Sequence, residues 1–376
     1  MDIQKQKRVT IIFGTRPEAI KLAPVIKTFR DSKRLAIRVV LTGQHKEMVD
    51  QVCSLFDLKI DKDLELMTHG QSLNELTSNI IRSIEKELST FRPDLVLVQG
   101  DTTSAFASAL AAFYEKIPVA HVEAGLRTKS MFNPFPEELN RRMISQLSSL
   151  HFAPTVKSAN NLYSHNIKED VYITGNTIID ALISIENQAK PKSSLGINWQ
   201  KNKILLASVH RRENWGENLD KIAFGLKKIS DLFPEVYIVL PMHKNLKVRE
   251  PLRRIIGNKS RIILCEPFNY LEMIGAIKNC YLLITDSGGL QEEAPTFGKP
   301  VVVLRDSTER IEGIESGSAK LVGTKTQDIV ETVSLLLKDK EKYKNMSKIM
   351  NPYGDGKASK RILNKCLNFL GINSKD

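Results

Sequence analysis

Short runs of apolar, often β-branched residues alternate along the chain with longer stretches whose apolar positions recur at helical spacing. The short runs fall at 8–13, 37–42, 94–99, 118–123, 150–153 and 171–174 in the first half. In the second half they fall at 203–209, 236–240, 261–265, 281–285, 300–304 and 319–322. They are nearly continuous in apolar character, as a strand covered on both faces requires; a half-exposed strand would alternate instead. The stretches between them, among them 19–30, 72–88, 104–114, 219–232 and 328–337, predict helices. Strands of this kind separated by helices predict the α/β class, with parallel sheets covered by helices on both sides.

The pattern runs twice, so two similar sets of βα units are expected, and 376 residues are enough for two domains. The boundary is expected near Gly175 and Asn176, after the last strand of the first set. The Pro/Lys/Ser-rich stretch 190–194 predicts an exposed loop, and the amphipathic tail 358–370 predicts a helix. No short-period repeat is present.

In an open parallel sheet the ligand crevice lies outside the carboxyl ends of the strands. There the chain concentrates glycines and ionisable residues. The first strand leads into Gly14-Thr15-Arg16-Pro17-Glu18, the second into Gly43-Gln44-His45, and the third into Gly100-Asp101-Thr102-Thr103. The 118–123 run ends in His121-Val122-Glu123. In the second half the corresponding sequences are His210-Arg211-Arg212-Glu213-Asn214, Pro241-Met242-His243 and Asp286-Ser287-Gly288-Gly289.

The Thr15–Glu18 pair reads as a capping box with Pro17 in the first turn, and the helix amides with Arg16 and Lys21 suit an anion. Exposed basic residues on an ordinary turn fit equally well. No Gly-x-Gly-x-x-Gly fingerprint and no phosphate loop ending in Gly-Lys-Ser/Thr is present, so neither a dinucleotide site nor a P-loop is supported. The turn at Ser287, Gly288 and Gly289 lets backbone amides approach a pyrophosphate, and Glu293 one turn on could accept from ribose hydroxyls. A Gly-rich turn with an acidic helix start is its structural alternative. Asp101, Glu123 and Glu137 are the candidate acid–base groups; for Asp101 an N-cap and for Glu137 a dipole-complementing helix start are the ordinary alternatives. His121 and His151 read as core histidines.

The net charge of +12 suits an anionic ligand. The lysines are spread along the chain without aromatic interleaving, so nucleic acid is not an expected partner. The four cysteines form no Cys-x-x-Cys pair, the histidines form no helical His-x-x-x-His pair, and no metal site is expected. The apolar stretch 9–13 is too short for a signal-peptide core, and no run reaches the length of a membrane span; a cytoplasmic location without membrane partner is expected.

Taken in order, these motifs make the chain resemble the bacterial non-hydrolysing UDP-N-acetylglucosamine 2-epimerases. The resemblance also rests on Phe13, Ala19-Ile20-Lys21, Ala124-Gly125-Leu126-Arg127-Thr128 and Pro136-Glu137-Glu138-Leu139-Asn140-Arg141. Thr174-Gly175-Asn176-Thr177, residues 286–295, Thr308-Glu309-Arg310 and Asn351-Pro352-Tyr353-Gly354-Asp355-Gly356 complete it. It implies two Rossmann-like doubly wound parallel-sheet domains facing a cleft, as in GT-B glycosyltransferases. The expected domains are 1–176 with a returning segment 358–376, and a UDP-binding domain 177–357.

The resemblance further implies a cofactor-free enzyme that interconverts UDP-N-acetylglucosamine (UDP-GlcNAc) and UDP-N-acetylmannosamine (UDP-ManNAc), and a homodimer. UDP would leave C1, a 2-acetamidoglucal would form, and UDP would add back. Asp101, Glu123, Glu137 and His210 match the positions tied to catalysis. Arg16, Lys21, Asp101, Glu123, His210, Ser287, Gly288, Gly289, Glu293 and Arg310 match contacts to UDP or substrate. Phe268 and Met273 depart from the pattern, standing where relatives often carry Gln and Phe near the uracil. Gln44, Arg211 and His243 match parts of a neighbouring allosteric site, and Gly70 falls where some relatives carry Arg. A GT-B glycosyltransferase, a hydrolysing epimerase, an epimerase for a diacetamido uronic acid and a non-enzymatic nucleotide-sugar sensor are the alternatives. The acidic trio argues against the first, the His210–Asn214 motif against the second, and the Arg16–Lys21 form against the third.

Overall fold

The computed structural model describes residues 6–43, 46–68, 70–167 and 170–372. The chain divides into two compact units, residues 1–183 with 354–376, and residues 184–353.

In the first unit the strands are β1 (Arg8–Phe13), β2 (Ala36–Leu41), β3 (Lys62–Asp63), β4 (Leu95–Gln99), β5 (Val119–Val122), β6 (Leu150–Ala153) and β7 (Val171–Ile173). They form one parallel sheet in the order β3-β2-β1-β4-β5-β6-β7. The order reverses between β1 and β4, so the loops leaving these two strands flank the switch point of a doubly wound sheet. Ile12, Val40, Val96 and Val98 meet Ile80 and Ile84 of helix Leu73–Phe91 and the small residues Ala105 and Ala109 of helix Thr103–Tyr114 in one core. The alanines let that helix lie close to the sheet. The C-terminal helix Ala358–Phe369 belongs to this unit: it packs on helix Arg16–Asp31, and Asp180 caps it by accepting from the Ala358 and Ser359 amides at 3.2 and 2.8 Å.

In the second unit β8 (Lys203–Ser208), β9 (Val236–Pro241), β10 (Ile262–Cys265), β11 (Leu282–Thr285), β12 (Val301–Val303) and β13 (Ala319–Leu321) form a parallel sheet. The order β10-β9-β8-β11-β12-β13 puts its switch point between β8 and β11. A continuous core runs from Leu205, Ala207 and Ile238 to Leu226, Ile229, Ile329 and Val333.

All twelve expected strands form, within a residue or two at their ends. The two-residue β3 was not expected, because so short an edge strand carries no apolar run. The stretch 190–194 is not wholly loop: a single 3-10 turn occupies Ser193–Leu195.

Candidate active site

The first-unit groups gather at the β1/β4 switch point. Helix Arg16–Asp31 starts where Glu18, buried in its first turn, accepts from the Gly14 and Thr15 amides at 3.0 and 2.7 Å. Glu18 also accepts from Thr102 Oγ1 at 2.7 Å, which ties the β1 loop to the β4 loop. Burial raises the Glu18 pKa, and these hydrogen bonds oppose the rise. Gly14 must be glycine: a Cβ there would sit 2.2 Å from Thr42 Oγ1 and 2.3 Å from Ser104 Oγ.

Glu123 lies one residue past the end of β5, not in the strand, with φ at +63° and 7% of its surface exposed. Lys21 Nζ pairs with both carboxylate oxygens, at 2.7 Å from Oε2. Gln99 Nε2, at the end of β4, donates to Oε2, and Asn176 Nδ2 donates to Oε1 at 3.1 Å. Lys21, expected to touch substrate, is thus the ion-pair partner of a candidate catalytic carboxylate.

Asp101 follows β4 and is not the N-cap. Thr102 takes that role, accepting from the Ala105 amide at 3.0 Å, and leaves the Asp101 carboxylate to Arg141. Arg141 reaches Asp101 Oδ2 with Nε at 2.8 Å and Nη2 at 2.7 Å. Arg141 is itself held by the fully buried Glu138, which also binds Arg142 and the Thr128 amide. Glu137 opens helix Glu137–Leu147, and its buried Oε2 has no hydrogen-bond partner among the described residues. Arg16, half-buried, opens helix Arg16–Asp31.

His121 and His151 are paired across β5 and β6, and their Nε2 atoms bond the Gly100 and Ser145 carbonyl oxygens at 2.7 and 2.9 Å. Burial holds His121 down to about 3 and lowers His151 as well, so both are neutral core residues.

In the second unit Asp286, fully buried after β11, organises the loop after β8. It accepts from the His210 and Arg211 amides at 3.0 and 2.9 Å and from Asn214 Nδ2 at 3.0 Å. His210 Nδ1 stands 3.4 Å from the same carboxylate, and its ring stacks on His243 at 6.2 Å between centroids. Burial lowers the His210 pKa, while Asp286 works to raise it.

Ser287 and Gly288 begin the short helix Gly288–Glu293. Beside them Arg211, Arg305 and Arg310 converge on Glu309 at 3.3, 2.8 and 3.0 Å, and Arg310 Nε also binds Glu292 at 2.8 Å. A Cβ on Gly288 would lie 3.2 Å from Arg211 Nη2 and 3.6 Å from Arg310 Cζ, so the cationic cluster lies directly against this turn. Burial acts to raise the Glu309 pKa, but Arg310 and Arg305 overcome it and hold the carboxyl at about 2. Tyr353 supports Arg310 by donating to its carbonyl at 3.1 Å.

The structure therefore brings His210, Arg211, His243, Ser287, Gly288 and Arg310 into one neighbourhood, with Gly289 exposed on the turn and Glu293 buried in its helix. Phe268 and Met273 flank the start of helix Tyr270–Asn279, half-buried, outside the Asp286 and Glu309 networks. Gln44 lies outside the described residues. Among the described residues no three His, Cys, Asp or Glu side chains gather as a metal ion would need. Gln99, Arg141, Asp286 and Glu309 were not singled out from sequence, although all but Gln99 sit within quoted motifs.

The two doubly wound sheets, each with charged loops at its switch point, define a protein of the GT-B-like class. Residues 27–367 match the UDP-N-acetylglucosamine 2-epimerase family. The UDP-N-acetylglucosamine 2-epimerase of Escherichia coli K12 is 46% identical over 365 residues, covering 95% of this chain and 97% of that protein. The crystal structure of the Neisseria meningitidis UDP-GlcNAc 2-epimerase bound to UDP-GlcNAc aligns with a TM-score of 0.88 at 46% identity, covering 96% of this chain and 100% of that one. The Methanocaldococcus jannaschii UDP-GlcNAc 2-epimerase, in complex with UDP-GlcNAc and UDP, aligns at 0.78 and 33% identity over 96% and 99% of the two chains. The chain belongs to the UDP-N-acetylglucosamine 2-epimerase family.

Proposed function

We propose that this protein is a non-hydrolysing UDP-N-acetylglucosamine 2-epimerase that interconverts UDP-GlcNAc and UDP-ManNAc. The observation that carries the reading is the pair of cation-held carboxylates at the first unit's switch point, Glu123 with Lys21 and Asp101 with Arg141. Family membership and the substrate-bound relatives support it.

The C2 hydrogen of UDP-GlcNAc has no adjacent carbonyl, so simple deprotonation is slow. A base removes the C2 proton as the C1–O bond to the diphosphate breaks; the C–H electron pair becomes the C1=C2 bond, and the C–O pair leaves with UDP. The product of this half is 2-acetamidoglucal. In the return half a proton adds to the opposite face of C2, and a diphosphate oxygen re-forms its bond to C1. Charge grows on the diphosphate, so the Ser287, Gly288 and Gly289 amides with Arg16, His210 and Arg310 serve there. Asp286 beside His210 Nδ1 orients the ring, and its charge opposes the burial that lowers the His210 pKa. Asp101, Glu123 and Glu137 serve the proton transfers. Glu293 accepts from the ribose, and Phe268 and Met273 line the uracil. Arg211 and His243 belong to an activator site beside it.

Two further parts of the proposal are a homodimer and a cytoplasmic setting. Phe113 and Tyr114 of helix Thr103–Tyr114 and Leu139 and Met143 of its neighbour Glu137–Leu147 are exposed apolar residues on adjacent helices. The four cysteines are free, as a reducing compartment keeps them. No helix among the described residues is long and apolar enough to cross a membrane.

Incubation with UDP-GlcNAc in deuterium oxide, followed by proton NMR, tests the reaction. Both epimers should appear, with deuterium at C2. Product without deuterium at C2 eliminates the scheme. Release of free N-acetylmannosamine with UDP would identify a hydrolysing enzyme instead.

A further inference from the structure

Glu123 is fixed more tightly than an ion pair with a lysine alone would fix it. Its left-handed backbone conformation, with φ at +63°, is one a non-glycine residue keeps only when its surroundings impose it. It lies over the end of β4, where a Cβ on Gly100 would be 3.8 Å from Oε2. Two neutral amides then close on the carboxylate.

Gln99 is the last residue of β4, after the buried Val96, Leu97 and Val98, and is 2% exposed. A buried amide in such a strand is costly unless bonded, and this one is spent on Glu123 Oε2. Asn176 is 3% exposed and both ends of its amide are committed. Oδ1 accepts from the Ile178 amide at 3.1 Å, in the first turn of helix Thr177–Ile185, so Nδ2 must face Glu123 Oε1. Lys21, on a flexible stem, supplies charge; Gln99 and Asn176, on a strand end and a helix start, supply direction.

We propose that Gln99 and Asn176 are positioning residues that hold the Glu123 carboxylate ionised and aimed for the proton step at C2. The inference rests on the epimerase reading and deepens it. All three side chains present N–H donors, which favour the charged carboxylate. His121, which feels the Glu123 charge, stays neutral to about 3 through burial; of the other carboxylates of this unit's loops, Glu18 binds the Gly14 and Thr15 amides and Asp101 binds Arg141.

Two substitutions test this in the full chain. Asn176→Asp keeps the acceptor for Ile178 but replaces the donor by a second carboxylate; Gln99→Met keeps the volume and removes the donor. In Asn176→Asp, kcat for epimerisation should fall ~100-fold, the size of effect that misplacing a reacting group produces. Gln99→Met should lose ~10-fold by the same effect. KM for UDP-GlcNAc and Kd for UDP should stay within about twofold in both, since transition-state positioning alone is lost. The acid limb of kcat should move to higher pH in Asn176→Asp, because adjacent carboxylates share a proton. Folded variants with wild-type kcat and pH profile would overturn the proposal, as would a loss confined to UDP affinity. Carbon NMR titration of Glu123 in the wild type needs no turnover: a carboxyl titrating at or above its ordinary value overturns the cage. A wild-type protein that does not epimerise UDP-GlcNAc while Glu123 titrates low would defeat the activity reading alone.

Discussion

At the residue scale, several motif residues do something other than the sequence suggested. Asp286 precedes the glycine turn and reads as part of an anion site. In the structure its buried carboxylate accepts from His210, Arg211 and Asn214 and shapes the loop that carries His210. Removing it strands buried donors, each costing about 1–3 kcal/mol. Asp286→Ala should therefore lower unfolding free energy by roughly 3 kcal/mol or more in urea titration. Asp101 shows the opposite displacement: the neighbouring Thr102 caps the helix and frees it for Arg141. Sequence singled out Asp101 and showed Asp286 only as part of a motif, and it could not identify the partners of either. Arg141 is 40 residues from Asp101, and no local periodicity links them.

At the element scale the strands and helices were legible because each carries its own signal. Continuous apolar runs mark the central strands, and alanines mark the helix that lies close on the sheet. β3, two residues on an edge, had no such signal. The strand β5 has a pH consequence. His121 within it is held at about 3 by burial, against an ordinary value of 6.5. The unfolded chain takes up a proton below pH 6.5 and the folded one does not until about 3. Above 6.5 the residue contributes no pH dependence. As pH falls from 6.5 toward 3 it costs stability, at up to about 1.4 kcal/mol per pH unit. His121→Gln keeps a donor for the Gly100 carbonyl and has no such titration. Between pH 6.5 and 4 its stability should decline by about 3 kcal/mol less than the wild type's, read from denaturant midpoints at each pH.

At the scale of the whole molecule, the exposed apolar residues of the helices Thr103–Tyr114 and Glu137–Leu147 lead to a further expectation. Sedimentation of the wild type should give twice the 42.4 kDa chain mass, and Tyr114→Glu with Met143→Glu should give the monomer. A monomeric wild type would remove the dimer. The sequence by itself determined the α/β class, the doubled βα pattern and the strand ends at which charged residues collect, because those features are written in spacing over a few residues. Only the tertiary structure decided which charges meet. Lys21, Gln99 and Asn176 come to Glu123 from 102, 24 and 53 residues away, and Glu123 meets them from a left-handed backbone conformation. A contact between distant residues leaves no period in a single chain; sheet order and helix packing create it.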